Sequence, residues 1–195
     1  MDFFLNYSIL KINFCYSLIR LLPRTLNTVV ARGRDIVITI VHFYLYIFLN
    51  FLNKNTFCLF KVLCDMTAVD WPVRVHRFDV VYNLLSIQYN SRIRIKTVIG
   101  QGSPIISACL TYSNANWFER EIWDLFGILF YFHPNMCRIL TDYGFIGHAL
   151  RKDFPVVGFF DVSYSLKTHS VIRENINNIN DKKNFVCDTP WLVNF

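Results

Sequence analysis

The chain of 195 residues suits one compact domain, and it carries 53% hydrophobic, 17% aromatic and only 17% charged residues. This composition excludes a disordered chain, a collagen-like protein and a glycine–serine linker. The net charge of +6 permits an acidic partner, while the low charge content predicts surplus apolar surface that a partner or a membrane covers.

The N-terminal stretch 3–22 is mostly apolar and poor in acidic residues, so it resembles a targeting segment at first sight. Lys11, Asn13 and Arg20 interrupt it, and no small-residue cleavage site follows. We therefore expect neither a cleaved leader nor a transit peptide, but a retained helix that Pro23 ends.

Residues 36–52 are the best candidate for a membrane span, although 17 residues are at the short limit for a spanning helix. The first half, 36–41, is β-branched, as in a buried strand. The second half, 43–52, is rich in Phe, Tyr and Leu. A strand followed by a helix is therefore favoured over a span.

Three further strands are predicted before the middle of the chain. An apolar run at 56–67 has strand character, and the stretches 77–88 and 91–99 form a hairpin across Tyr89 and Asn90. The second hairpin strand alternates between apolar residues (Ile93, Ile95) and basic residues (Arg92, Arg94, Lys96). This alternation predicts one buried and one solvated face.

A helix is predicted over 117–126, with an N-cap in 114–116 and Gly127 after its end. Helical periodicity places Phe118, Ile122, Leu125 and Phe126 on one apolar stripe. The charged residues Arg120, Glu121 and Asp124 lie opposite that stripe. Trp117 and Trp123 lie among or beside these charges, which indicates contacts on more than one side of the helix.

The stretch 128–160 follows no helical or strand period, and charged residues are spread in it among aromatic ones. Such a long irregular stretch is typically functional or laid along a partner. The pattern predicts an α+β fold, with a small mixed β-sheet and flanking helices followed by an extended, loop-rich C-terminal segment. We divide the chain into an N-terminal arm (1–22), a core domain (23–127) and the C-terminal segment (128–195).

The six cysteines show neither CxxC spacing nor a Cys/His pair at ligand spacing: Cys15, Cys58, Cys64, Cys109, Cys137 and Cys187. An iron–sulfur cluster or a zinc site needs clustered ligands. We therefore expect reduced, mostly buried thiols in a reducing compartment and no metal site.

Acid–base catalysis by Glu119 or Glu121 with His133 is a further hypothesis. The two glutamates point about 160° apart on a helix, so they cannot share one site. Arg120 and Asp124 have the i, i+4 spacing of an ordinary helical ion pair. We therefore favour paired structural charges over a catalytic site.

A specific set of motifs begins in the predicted helix. They are Glu119-Arg120-Glu121, Asp124-Leu125-Phe126-Gly127-Ile128, His133-Pro134, Arg138-Ile139-Leu140-Thr141-Asp142-Tyr143-Gly144, Gly147-His148 and Arg151-Lys152-Asp153-Phe154-Pro155. Together they resemble the thirty-kilodalton subunit family of respiratory complex I, the NADH:quinone oxidoreductase. Segments 65–70, 77–82 and 92–94 also resemble it, so the resemblance covers about 23–160. The short, mitochondrially encoded form is the most similar.

The resemblance implies a non-catalytic core subunit of the hydrophilic arm, in the quinone-reducing module. This subunit would support electron transfer from NADH to ubiquinone by packing against the large, forty-nine-kilodalton-type subunit and other peripheral-arm subunits. It implies no flavin, cluster or quinone on this chain, since FMN and the iron–sulfur clusters lie in other subunits. It further implies an obligate hetero-oligomer on the matrix side of the mitochondrial inner membrane. This subunit would bind no nucleic acid and would not itself span the membrane.

Charged residues of the C-terminal segment are expected, through the resemblance, to dock it onto the large subunit: Arg138, Asp142, Arg151, Lys152 and Asp153. The expected apolar anchors are Trp117, Trp123, Phe130, Phe132, Tyr143 and Phe154, some of them belonging to the internal core.

Three positions depart from the family pattern. Cys137 replaces a basic residue, Asn135 an Asp, and Ala149 lies where His-Pro is usual, which affects a local salt bridge and a local turn.

Two alternatives of other classes stay open. The net charge suits a basic mitochondrial RNA-binding or ribosomal protein, although no aromatic–basic motif with RRM or KH spacing is present. A small hydrolase would use His133 with Glu119 or Glu121.

Overall fold

The computed structural model describes residues 2–32 and 35–176. Cys187 and the loosely matching tail beyond residue 176 lie outside the described residues. The chain forms two compact units, Met1–Asp153 and Phe154–Phe195. Residues 128–153 of the predicted C-terminal segment belong to the first unit, and the proposed boundaries at 22 and 127 stay predictions.

A five-stranded mixed sheet forms the centre of the first unit. Its strands are β1 (Leu26–Arg32), β2 (Asp35–Ile40), β3 (Val62–Asp70), β4 (Phe78–Ser86) and β5 (Ser91–Ile99). They lie in the order β1-β2-β5-β4-β3, and all neighbours are antiparallel except β2 and β5. The predicted hairpin is confirmed as β4 and β5, and Ile93 and Ile95 are buried as expected. The α+β prediction is therefore confirmed.

In the part of the chain that the structure describes, three α-helices accompany the sheet: α1 (Asp2–Leu21), α2 (Leu45–Lys54) and α3 (Ala115–Phe126). Because β2 leads through a short 3-10 turn, His42–Tyr44, into α2, the strand-then-helix prediction for 36–52 is confirmed. Within the described residues, no helix combines the length and the apolarity needed to cross a bilayer. Leu45, Phe48, Leu49 and Leu52 of α2 are fully buried in the core beside the sheet.

Local differences from the sequence prediction have physical reasons. The strand predicted at 56–67 begins only at Val62, because residues 55–61 form turns behind α2. Helix α3 starts at Ala115, two residues before the predicted start, and the side chain of Asn114 does not cap it. Its amide instead donates to the Leu63 carbonyl at 2.7 Å, which ties the helix start to β3.

Two short parallel strands, β6 (Ile105–Ile106) and β7 (Phe130–Tyr131), pair on either side of α3 in the sequence. They bring the loops at 107–109 and 132–133 together. The second unit contains an antiparallel hairpin, β8 (Phe160–Ser165) and β9 (Ser170–Asn175), in a stretch for which no strand is predicted above.

Candidate functional site

The Asp124 carboxylate on α3 is completely buried and accepts five hydrogen bonds from residues 138–141. Its Oδ1 atom accepts from Arg138 at 2.9 Å and from the Thr141 hydroxyl at 2.6 Å. Its Oδ2 atom accepts from the backbone amides of Ile139, Leu140 and Thr141 at 3.3, 2.9 and 3.0 Å. The loop is therefore folded around a single anion, in the manner of a backbone nest.

The electrostatic balance at Asp124 favours the charged form. Burial alone would raise the pKa of this carboxyl, but hydrogen bonds from Thr141, Leu140 and Arg138 outweigh burial and lower the pKa to about 2. Arg138 also donates to the Gly147 carbonyl at 3.1 Å and lies over the Trp123 ring, 5.4 Å from its centroid. Asp124 and Arg138 together form the first clamp that holds the segment 128–153.

The C-terminal end of α3 is capped by residues 148–151. Nδ1 of His148 donates to the Asp124 carbonyl at 3.1 Å, and the Leu150 amide donates to the Leu125 carbonyl at 3.0 Å. Nε of Arg151 donates to the Phe126 carbonyl at 2.5 Å. These donors satisfy carbonyls that the helix leaves without intrahelical partners. Burial lowers the pKa of His148, which favours its neutral form.

Gly127 fills a position in this cap that only glycine suits. Its φ is +75°, and a Cβ there would overlap the side chains of Arg151 and His148. We expect Gly127→Ala to destabilise the chain by about 2–4 kcal/mol, because backbone strain adds to displacement of the cap. Urea unfolding of the full-length chain measures this.

Gly102→Ala is the matched control for that variant. Gly102 has a similar φ of +80°, but a Cβ added there would have nothing within 4 Å of it. Gly102→Ala should therefore lower the free energy of unfolding by about 1 kcal/mol, which is the contribution of backbone strain alone. Equal losses in the two variants would show that the cap around Gly127 is not crowded.

A second clamp joins the end of β3 to residues 152–153. Arg77 donates to both carboxylate oxygens of Asp70, at 2.6 and 2.8 Å, and to Asp153 at 3.0 Å. The Lys152 amide donates to Oδ2 of Asp70 at 2.8 Å. The hydrogen bonds from Arg77 lower the pKa of Asp70, whose side chain is almost fully buried. The bidentate pair thus fixes the end of the segment against the sheet.

A separate polar cluster surrounds Glu119, which is also completely buried. Its carboxylate accepts from the Ser107 hydroxyl and the Ala108 amide, both at 2.6 Å, and from the Cys109 thiol at 3.5 Å. Burial raises the pKa of Glu119 to about 7 and that of the Cys109 thiol to about 11. One ligand-type atom each from Cys109, Glu119 and His133 lies within 4.8 Å of the others. A thiol with such a raised pKa is poorly suited to be a nucleophile.

The surface of the clamped segment is rich in exposed apolar side chains. Tyr143 is 99% exposed, Phe132 77% and Trp117, on the neighbouring helix, 65%. Tyr131, Leu140, Ile146 and Leu150 are also exposed. We call Trp117 and these six residues of the segment the outer face. Such a concentration of apolar surface is typical of an interaction site.

Comparison with known proteins decides the family. The sequence model of the family described as "Respiratory-chain NADH dehydrogenase, 30 Kd subunit" matches residues 38–160, which is more than half of the chain. The chain belongs to this family. The predicted resemblance is thus confirmed, and the chain is a complex I subunit and part of an oxidoreductase complex.

Similar proteins include two mitochondrial subunits that match this complex I subunit over most of its length. NADH-ubiquinone oxidoreductase subunit 9 of Reclinomonas americana is 40% identical over 91% of this chain and 87% of its own. Subunit 9 of Prototheca wickerhamii is 42% identical over 92% and 93%. The mitochondrial NADH dehydrogenase [ubiquinone] iron-sulfur protein 3 of Candida albicans is 51% identical over 72% of this chain and 51% of its own.

A solved structure shows the same fold. It belongs to the membrane-bound sulfane sulfur reductase, described as an archaeal respiratory membrane complex. The TM-score is 0.65, with 89% of this chain and 98% of that chain covered. At 22% sequence identity, this similarity concerns the fold alone.

The structure of this complex I subunit brings four predicted site residues together around the end of α3: Asp124, Arg138, His148 and Arg151. Asp153 joins the second clamp, and Glu119 and His133 lie in the Glu119 cluster. Among the other predicted site residues, Glu121 is half-buried. The exposed ones are Pro134, Asp142, Tyr143, Gly144 and Lys152. Phe154, half-buried, and Pro155, exposed, belong to the second unit.

One prediction on α3 is wrong. Asp124 is enclosed by residues 138–141. It does not pair with Arg120, which donates to the Cys137 carbonyl at 3.1 Å and to its sulfur at 2.8 Å.

Of the expected anchors, Phe130 is buried in the core and Trp123 is half-buried. Docking of the segment's charges on another subunit stays a prediction.

Sequence reasoning missed Asp70, Arg77 and Thr141 as site residues. A signal existed for the first two, since antiparallel pairing of β3 with β4 places Asp70 opposite Phe78, next to Arg77. No periodic signal could find Thr141, because it acts from an irregular loop 17 residues beyond Asp124.

Proposed function

We propose that this chain is a non-catalytic scaffold of the hydrophilic arm of mitochondrial complex I. In this proposal it lies in the quinone-reducing module, on the matrix side of the inner membrane, and packs against the large, forty-nine-kilodalton-type subunit. It supports electron transfer from NADH to ubiquinone by holding that subunit in place. The mitochondrial relative from Candida albicans supports the location.

One observation carries the docking proposal: contacts within the chain fix the segment 128–153, while several of its aromatic side chains stay exposed. Arg138 and Arg151 bind α3, and Asp153 binds Arg77. Phe132 and Tyr143 remain exposed. A segment whose backbone is fixed before binding loses little conformational entropy on docking, and aromatic side chains dominate binding energy at interfaces.

The proposal assigns the redox chemistry to other subunits. The five described cysteines are free thiols at scattered positions, Cys15, Cys58, Cys64, Cys109 and Cys137. Iron–sulfur clusters of the common types need four clustered ligands. The clusters of the complex would therefore be held elsewhere. The proposal assigns FMN to another subunit as well, and this chain would contribute shape and contact surface.

The outer face provides a direct test of docking. We expect Phe132→Ser combined with Tyr143→Ser to leave the chain folded but to lower its share in assembled complex at least tenfold. The reason is that loss of two central aromatic contacts typically costs about 2 kcal/mol or more in binding. Native gels stained for NADH oxidation and probed for the chain measure the assembled share.

Val73→Ser combined with Val75→Ser is the matched control, since these side chains are 97% and 94% exposed in the turn between β3 and β4. This pair should assemble like the unchanged chain. If the outer-face variant assembled normally, or if both pairs failed equally, the docking proposal would be wrong.

A further inference from the structure

Three ligand-type side chains converge beside α3 from three different elements. Cys109 lies in the loop after β6, Glu119 lies in α3, and His133 follows β7. One ligand atom of each lies within 4.8 Å of the other two. The Cys109 sulfur is 3.5 Å from Oε2 of Glu119. Zinc–sulfur and zinc–oxygen bonds of roughly 2.3 and 2.1 Å at a tetrahedral angle place two such ligands about 3.6 Å apart.

We propose that Cys109, Glu119 and His133 bind one Zn²⁺ ion, with water as the fourth ligand. The Cys109–Glu119 pair already has the required spacing, so the remaining adjustment is an approach of about 1 Å among the three ligands. The ligand set of one thiolate, one carboxylate and one imidazole suits zinc better than the oxygen-preferring Mg²⁺ or Ca²⁺. This site is independent of the docking function proposed above.

Charge balance supports a divalent ion at this place. The thiolate and the carboxylate together carry two negative charges, so the loaded site is neutral in surroundings where a net charge is costly. Zinc binding therefore displaces protons from these two groups.

The surroundings already orient two of the ligands. Ser107 and Ala108 each donate to Glu119 at 2.6 Å, which fixes its carboxylate. The His133 ring donates from Nε2 to the Asn116 carbonyl at 3.2 Å and accepts from the Asn135 amide at Nδ1 at 3.1 Å. One ring nitrogen exchanges its backbone partner for the metal, while the other keeps the bond that orients the ring.

The test is a zinc titration of the full-length chain against a chromophoric chelator, with the released protons measured in weak buffer. We expect one zinc per chain. Metal ligands must be deprotonated, so zinc uptake should be accompanied by release of protons into the weak buffer.

Variants assign the ligands. Cys109→Ser and His133→Ala should each weaken zinc binding at least tenfold. Cys64→Ser and His169→Ala should leave it unchanged, since these exposed residues lie on β3 and in the β8–β9 turn. Zinc binding that survives in both cluster variants would overturn the proposal.

A readout on the unchanged chain avoids any folding defect of the variants. Bound zinc should slow alkylation of Cys109 at least tenfold while Cys64 reacts at the same rate, as followed by mass spectrometry. Absence of stoichiometric zinc uptake, or equal alkylation of Cys109 with and without zinc, would contradict the site.

Discussion

Replacing Asp124 with Asn is expected to destabilise the chain by about 3–5 kcal/mol, the usual cost of removing one partner from a buried ion pair. Both carboxylate oxygens accept hydrogen bonds, and Arg138 is the charged donor. An Asn side chain offers one oxygen and turns its NH₂ group toward other donors. The variant therefore loses the negative charge and places an NH₂ group opposite N–H or O–H donors. The loop 138–141 should detach from α3.

Urea unfolding of the full-length chain, followed by tryptophan fluorescence, measures the loss. Trp123 is a suitable reporter because Arg138 lies 5.4 Å from its ring centroid. Glu121→Gln is the matched control, a carboxyl-to-amide change on the same helix at a half-buried position, and it should cost less than about 0.5 kcal/mol. Similar midpoints for the two variants would show that Asp124 is not a clamp.

The pH dependence of stability gives the same prediction a second measurement. The pKa of Asp124 falls from its usual 3.8 to about 2 in the folded chain. Its stabilising contribution is therefore fully present above about pH 4 and is lost as the pH falls toward 2. Asp124→Asn should remove this part of the acid sensitivity.

Replacing Arg77 with Met is expected to cost about 3–5 kcal/mol as well, because it leaves the Asp70 carboxylate buried without its charged partner. The same change removes the bond from Arg77 to Asp153. We therefore expect the end of the segment to loosen. Hydrogen exchange at the Lys152 amide, which donates to Asp70, should become at least tenfold faster.

Arg74→Met is the matched control for Arg77→Met. Arg74 also faces an aspartate, Asp79, but at 3.5 Å and with a side chain that is 55% exposed. A surface pair of this kind contributes at most about 1 kcal/mol, so Lys152 exchange should not change. Faster exchange in both variants, or in neither, would contradict a specific role of Arg77.

The parts of the fold that the sequence predicts are those with a regular local pattern. The alternation at 91–99 and the change of residue type within 36–52 identify β5, β2 and α2. Strand β1 is missed because it mixes polar and apolar residues without alternation and is only partly covered at the sheet edge. The β8–β9 hairpin is missed although apolar and polar residues alternate in β8, because β9 lacks this alternation and the side chains of both strands are mostly exposed.

The candidate site is predictable only as a set of residues, not as a set of contacts. The family motifs contain Asp124, Arg138 and Arg151, yet helical periodicity only places Asp124 opposite the apolar stripe. Its true surroundings come from residues 14–17 positions further on, in a loop without a period. The sequence points to Glu119 and His133 of the Glu119 cluster, whereas Cys109 joins them only because β6 pairs with β7.

Docking on the large subunit is tested most sharply by a photo-crosslinking amino acid at position 143, the most exposed point of the outer face, in the assembled complex. The same substitution at position 73, in the turn between β3 and β4, serves as the control. We expect position 143 to crosslink to the large, forty-nine-kilodalton-type subunit, identified by mass spectrometry, while position 73 does not. The docking proposal would be wrong if position 143 gave no crosslink, or crosslinked only to this chain itself, in a complex that oxidises NADH.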